Sequence, residues 1–133
     1  MSKLRCICGH TIVDQSDNLE YKAHFIRDQN YEAVENYSDD IDLFINSIKN
    51  NNRDKWTEEY FGIDVYKKLS DSIVIRDIIS RYKLKYESEI YQCKNCGRIK
   101  IQKGLTNLYA SFKIEDEQSM EIFNGITENN IEN

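Results

Sequence analysis

The sequence predicts an α+β fold in which a small antiparallel sheet is interrupted by a helical segment. Apolar and polar residues alternate near both ends of the chain, as in half-buried strands. In the middle, apolar residues recur every three or four positions, as in amphipathic helices. We expect one domain over residues 1–133, with the helical insertion at about 31–85 and a frayed tail at about 125–133.

Three strands are predicted before the insertion. Residues 3–6 and 10–13 are short extended segments on either side of a glycine-containing turn, and residues 21–27 alternate as a third strand. Helical periodicity begins at Tyr31 and has a restart signal at Ser38.

The remaining elements follow the same periodicities. Residues 56–69 predict a helix, although Gly62 weakens it. Ser70 and its neighbours predict the cap of a further helix, whose expected core face is Ile75, Ile78, Ile79 and Tyr82. Strands are predicted at 89–92, 98–103 and 108–114, with a turn at 104–107.

The chain has four cysteines, arranged as two pairs that are each followed directly by glycine. Glycine tolerates the backbone conformation in which amide N–H groups point at sulfur, and a structural zinc ion takes four ligands from such pairs. The pattern therefore predicts a zinc-ribbon-like site that joins both ends of the chain through one structural Zn²⁺ and four ligands, Cys6, Cys8, Cys93 and Cys96. Two disulfides, unlinked thiols, and a site in which His10 replaces one cysteine remain open.

A shared ion would connect segments that are far apart in the chain. The 84 residues 9–92 separate Cys8 from Cys93. Closing a loop of that length restricts the unfolded chain by about 4–5 kcal/mol in the cross-link entropy model, so metal binding would be coupled to folding. Four protein ligands leave no position for a catalytic water, and the predicted role is structural.

Charge and hydropathy bear on the partners of the protein. The chain has 18 Lys and Arg against 23 Asp and Glu, a net charge of −5. Nucleic-acid-binding domains are usually basic, because phosphate neutralisation supplies affinity, so the balance argues against nucleic acid and favours a basic protein partner. The sequence has neither an apolar run of roughly 18 residues nor a signal peptide. We expect a cytoplasmic protein with no membrane association, where reducing conditions favour thiolate–metal bonds.

No recognised arrangement of catalytic residues is present in the sequence. His10 and His24 are the two histidines, and neither accompanies a nucleophile elbow or a glycine-rich phosphate loop. Neighbouring carboxylates such as Asp39 and Asp40 point in different directions on a helix, as on a solvated surface. We therefore predict that the protein is not an enzyme.

Nine tyrosines and one tryptophan are the other unusual feature of the composition. These side chains recur at protein interfaces because they combine a large contact area with a polar tip. The predicted partner-binding residues are Tyr31, Tyr37, Tyr60, Tyr66 and Tyr109. The alternative is that most of them fill the core.

Both ends of the chain resemble a family of small, mostly uncharacterised bacterial zinc-knuckle proteins. Its members are marked by Cys-x-Cys-Gly at the start and Tyr-Gln-Cys-x-x-Cys-Gly-Arg near the end, matched here at residues 6–9 and 91–98. The resemblance covers about half of the chain and implies a variable helical middle.

Small acidic proteins of this kind are also similar to the immunity proteins of contact-dependent or polymorphic toxin systems. That resemblance implies a protein that binds and neutralises a cognate basic toxin domain. The alternative hypothesis is a zinc-ribbon regulator that contacts nucleic acid or the transcription machinery through five cationic residues, Lys83, Lys85, Arg98, Lys100 and Lys103.

Overall fold

Strands from both ends of the chain and helices from its middle build two compact units. The computed structural model describes residues 3–128. Unit 1 comprises the described parts of Met1–Phe25 and Glu87–Asn133, and unit 2 comprises Ile26–Tyr86. The fold class is α+β, as predicted. The single-domain organisation stays a prediction, and residues 129–133 of the expected frayed tail lie outside the described residues.

Within residues 3–128, six strands form two sheets, and each predicted strand is present. A two-stranded antiparallel sheet joins β1 (Lys3–Arg5) to β2 (Thr11–Val13). A four-stranded sheet has the order β3-β4-β5-β6, with the strands β3 (Lys22–Ile26), β4 (Glu87–Gln92), β5 (Ile99–Gln102) and β6 (Tyr109–Phe112). The pairs β4–β5 and β5–β6 are antiparallel.

The register of the larger sheet determines which side chains face the core of unit 1. Tyr91 lies opposite Lys100, which lies opposite Ser111, so the three share one face. Cys93 follows Tyr91 by two positions, and the buried cluster contains both of them together with Cys6 and Ile12. The apolar core of unit 1 therefore includes two of the four cysteines.

A polar network lies at the edge of this core. The Tyr91 hydroxyl lies in hydrogen-bond contact with the Asp14 carboxylate and 2.9 Å from Glu89 Oε2. Lys22 Nζ lies 2.5 Å from Asp14 Oδ2 and 3.4 Å from Glu89 Oε1. Tyr109 also donates to Glu89, at 3.0 Å. The network joins β3, β4 and β6 to the segment that follows β2.

Unit 2 contains four α-helices. They are α1 (Tyr31–Glu35), α2 (Tyr37–Lys49), α3 (Arg53–Phe61) and α4 (Asp71–Tyr86). The predicted start of a second helix is confirmed. The break between α1 and α2 lies at Asn36, two residues before the predicted Ser38. The single helix predicted over 56–69 is wrong: Gly62 adopts φ +75° and ends α3, and a 3₁₀ turn at Val65–Lys68 follows.

The core of unit 2 centres on three fully buried side chains. Phe44 of α2 packs with Val74 and Ile78 of α4, each 0% exposed. The predicted core face of α4 is therefore partly wrong, because it omits the fully buried Val74 and includes Ile79, which is only half-buried. Ile75 is half-buried too, but it packs against the core as predicted. Val74 and Ile78 are four residues apart and share one stripe of the helix, which is rotated from the predicted face.

No helix within residues 3–128 has both the length and the apolar character needed to cross a bilayer.

Candidate metal centre

The first cysteine pair lies in a tight turn between β1 and β2. The Cys6 amide donates to the His10 carbonyl at 2.8 Å, and the Gly9 amide donates to the Cys6 carbonyl at 2.9 Å. Gly9 has φ +98°, which favours glycine over other residues. The turn is thus closed at its base, and both sulfurs project from it. Residues 6–10 are called knuckle 1 below.

The second pair lies in the corresponding turn between β4 and β5. The Cys93 amide donates to the Arg98 carbonyl at 2.9 Å, and the Gly97 amide donates to the Cys93 carbonyl at 2.8 Å. Gly97 has φ +80° and no room for a side chain, because a Cβ there would lie 2.3 Å from Ile114 Cδ1 and 2.6 Å from Met120 Sδ. Residues 93–98, called knuckle 2, repeat the hydrogen-bond scheme of knuckle 1.

The two knuckles bring the four sulfurs together. Cys6 Sγ lies 3.6 Å from Cys96 Sγ, and Cys8 Sγ lies 3.6 Å from Cys93 Sγ. All four sulfurs lie within 4.8 Å of one another. Sulfurs bound to one tetrahedral zinc at about 2.3 Å lie about 3.8 Å apart, so the set fits a single ion. The cysteines are free thiols, and His10 is not part of the cluster.

Each cysteine pair has one buried and one partly exposed member. Cys6 is 1% exposed and Cys93 is 0% exposed, whereas Cys8 and Cys96 are half-buried. The sulfurs of the two half-buried cysteines, called the outer sulfurs, each receive a side-chain hydrogen bond. Asn95 Nδ2 donates to Cys8 Sγ at 3.4 Å, and Arg98 Nη1 donates to Cys96 Sγ at 3.2 Å. Both donors belong to knuckle 2.

The pKa values of the thiols reflect these hydrogen bonds and the burial. The Asn95 side chain, followed by a backbone amide, lowers the pKa of Cys8 to about 6. Burial raises the pKa of Cys93 to about 12. Burial also acts to raise the pKa of Cys96, but hydrogen bonds from the Arg98 backbone and side chain outweigh it, and the pKa is lowered. A buried Cys93 thiolate therefore requires a cation beside it.

A buried glutamine connects knuckle 2 to the C-terminal segment of unit 1. Gln92 is 3% exposed, and its Nε2 donates to the carbonyls of Gly97 at 3.1 Å and Ser119 at 2.7 Å. Its Oε1 accepts from the Ile122 amide at 3.2 Å. Together with Met120 beside Gly97, these bonds hold residues 114–122 against the knuckle.

Three residues around the sulfurs were not predicted as part of the site: Gln92, Asn95 and Arg98. Gln92 and Arg98 flank the cysteines of knuckle 2, and Asn95 lies between them. The sequence signal that could have identified them is the presence of polar residues inside and beside a cysteine pair. Their donor directions depend on the turn geometry, which the sequence alone does not specify.

The predicted partner-binding tyrosines have different surroundings. Tyr31 on α1 is 55% exposed. The other four are half-buried and pack beside the two cores: Tyr37, Tyr60 and Tyr66 in unit 2, and Tyr109 in unit 1. Three of these hydroxyls donate to carboxylates, Tyr60 to Asp40, Tyr66 to Asp77 and Tyr109 to Glu89. Their role in partner binding stays a prediction.

Two of the five cations in the nucleic-acid hypothesis have partners within unit 1. Lys100 is only 4% exposed, and its Nζ lies 2.7 Å from Ser111 Oγ. Arg98 donates to Cys96. Lys83, Lys85 and Lys103 are exposed.

The fold and the centre define an α+β protein with a four-cysteine cluster that is able to hold a metal ion. The chain belongs to the family described as "Domain of unknown function (DUF8617)", whose sequence model matches residues 2–116. That range contains both knuckles and all four helices. No curated protein and no solved structure matches the chain.

Proposed function

We propose that the protein binds one structural Zn²⁺ through the thiolates of Cys6, Cys8, Cys93 and Cys96. The supporting observation is the convergence of all four sulfurs within 4.8 Å, at separations suited to one tetrahedral ion. An all-thiolate set favours zinc among common cellular cations, since hard ions such as Mg²⁺ and Ca²⁺ prefer oxygen. The reducing cytoplasm is the compartment in which such thiolates remain available.

We further propose that the protein is not an enzyme and acts by binding another protein, as an immunity protein that neutralises a basic toxin domain. A site with four protein ligands leaves no open position for a substrate or water, so the ion would maintain the scaffold. The net charge of −5 complements a basic partner, and Tyr31 offers an exposed aromatic side chain for contact.

Metal analysis of the purified protein tests the first proposal. We expect one zinc per chain in the wild type and less than about a tenth of that in Cys6→Ser and Cys93→Ser, because removing one thiolate opens the site. His10→Ala is the control, since His10 neighbours the cluster without belonging to it, and should retain full zinc. Undiminished zinc in both serine variants would refute the centre.

Co-purification tests the second proposal. The bait is the product of a toxin-like reading frame adjacent to the gene, and we expect a complex that weakens as salt rises, because charge complementarity contributes to association. Tyr31→Ala should weaken it more than Tyr37→Phe, which changes a half-buried side chain. Tight, salt-sensitive binding to DNA or RNA in a shift assay, with no protein complex, would favour the regulator instead.

A further inference from the structure

The two outer sulfurs of the four-cysteine cluster differ from the two inner ones in their hydrogen bonds. Cys6 and Cys93 are shielded by burial, at 1% and 0% exposure. Cys8 and Cys96 are half-buried, and each receives a side-chain N–H: from Asn95 at 3.4 Å and from Arg98 at 3.2 Å. The side-chain donors thus contact the sulfurs that solvent reaches.

We propose that Asn95 and Arg98 protect the solvent-facing sulfurs of Cys8 and Cys96 from electrophiles, and thereby determine how fast the centre loses its metal. The inference rests on the proposed zinc site. The sulfurs of Cys8 and Cys96 are then the ones of that site open to attack, and Asn95 and Arg98 control how fast they react.

Charge gives the first physical reason. Four thiolates and one Zn²⁺ sum to a charge of −2, and this excess resides on the sulfurs. Arg98 is a permanent cation within hydrogen-bond distance of one of them, and so compensates part of that charge. Asn95 contributes a neutral dipole at another.

Reactivity gives the second reason. A thiolate attacks an electrophile with a sulfur lone pair, and a hydrogen bond to sulfur lowers the energy of that pair. With iodoacetamide, a sulfur–carbon bond forms, the carbon–iodine bond breaks and iodide leaves. The product is a neutral thioether, which is a poorer ligand than a thiolate. Alkylation of one outer cysteine is therefore expected to release the metal.

The experiment follows iodoacetamide labelling of the zinc-loaded full chain, with released zinc read by a colorimetric chelator. We expect Arg98→Gln to raise the rate constant on the order of tenfold and Asn95→Ala about threefold, because the ionic hydrogen bond is the stronger. Mass spectrometry at early times should find the first label on Cys96 in Arg98→Gln and on Cys8 in Asn95→Ala.

Lys94→Gln is the matched control. Lys94 belongs to the same knuckle and carries the same charge as Arg98, but its Nζ pairs with Glu20 Oε1 at 2.5 Å and is not hydrogen-bonded to sulfur. Its labelling rate should equal that of the wild type. An equal acceleration in Lys94→Gln would show a general charge effect and overturn the assignment.

The identity of the labelled cysteine distinguishes loss of a protecting hydrogen bond from loss of folded structure. If either variant is labelled at all four cysteines together, its effect is on folding and the inference fails. Wild-type rates in both variants also overturn it, while one zinc per chain would still support the metal site. Absence of zinc from the wild-type protein would instead refute the proposed function itself.

Discussion

Cys8 Sγ lies 3.6 Å from Cys93 Sγ, although 84 residues, 9–92, separate the two cysteines in the chain. One knuckle precedes the helical unit in sequence and the other follows it, and both belong to unit 1. Because Cys93 is buried, its thiolate is unfavourable without a neighbouring cation. The stability of unit 1 should therefore depend on the metal.

Metal removal should lower the melting temperature. A ligand present at a thousand times its Kd adds about 4 kcal/mol, which for a chain of this size corresponds to a shift of more than about 10 °C. Calorimetry with and without a zinc chelator measures the shift. Zinc should restore the original temperature and magnesium should not, since thiolates bind magnesium poorly. A melting temperature insensitive to chelation and to zinc contradicts the structural role.

The two knuckle glycines should differ in their tolerance of alanine. Both have positive φ. Gly9→Ala should therefore cost about 1–2 kcal/mol for backbone strain alone, because no atom of residues 3–128 outside its immediate chain neighbours lies within 4 Å of a Cβ placed there. Gly97→Ala adds the collision with Ile114 and Met120, which raises the expected cost to about 2–4 kcal/mol. Urea unfolding of the two zinc-loaded variants measures the loss in the free energy of unfolding for each. Equal losses would show that residues 114–122 move away from the added Cβ without an energetic penalty.

Asp40 should stabilise unit 2 through two tyrosines. Its Oδ2 accepts from Tyr60 at 2.6 Å and from Tyr82 at 2.8 Å, so Asp40→Ala leaves two half-buried hydroxyls without their partner. We expect a loss of about 2 kcal/mol. Asp39→Ala, at an exposed neighbour, should stay within about 0.5 kcal/mol of the wild type. The fluorescence of Trp56, which stacks on Tyr60 at 4.7 Å, reports unfolding of this unit in urea.

The sequence was sufficient to predict the four-cysteine cluster because that prediction needs only chemistry and spacing. Cysteine pairs followed by glycine form the same turn in many contexts, and the remaining constraint is that a metal takes four ligands. Strand locations followed from alternation for a similar reason, since a half-buried strand must place successive side chains on opposite faces.

Features that depend on tertiary distances were not predicted. Gly62 is compatible with a helix interior or a helix end, and only the chain that follows it decides between them. Val74 and Ile75 differ by 100° around α4, so the buried one depends on where Phe44 lies. In the sequence, Arg98 is one of the cations of the nucleic-acid hypothesis. Its contact with Cys96 depends on the turn of knuckle 2, which residue spacing does not specify.

Two lysine–carboxylate ion pairs have the same length but different burial. Their contributions to stability at different pH values therefore show what burial does to an ion pair. Lys22 lies 2.5 Å from Asp14 with side-chain exposures of 17% and 13%, and Lys94 lies 2.5 Å from Glu20 with exposures of 52% and 59%. Burial acts to raise the pKa of Asp14, but hydrogen bonds from Lys22 and Tyr91 outweigh it and lower the pKa.

A carboxyl whose pKa is lower in the folded state than in the unfolded state stabilises the fold. This contribution is complete at pH values above the unfolded-state pKa and is lost as the pH falls through the folded-state pKa. For Asp14 the loss should occur below about pH 4, since an unperturbed Asp titrates near 3.9. Lys22→Gln should therefore cost about 1–2 kcal/mol at pH 7, and the cost should shrink between pH 4 and pH 3.

Comparing each variant with wild type at every pH removes the common effect of metal release. Lys94→Gln should show no measurable change at any pH, because solvent screens its pair. A cost for Lys22→Gln that stays constant down to pH 3 would mean that its aliphatic stem, rather than its ion pairs with Asp14 and Glu89, stabilises unit 1.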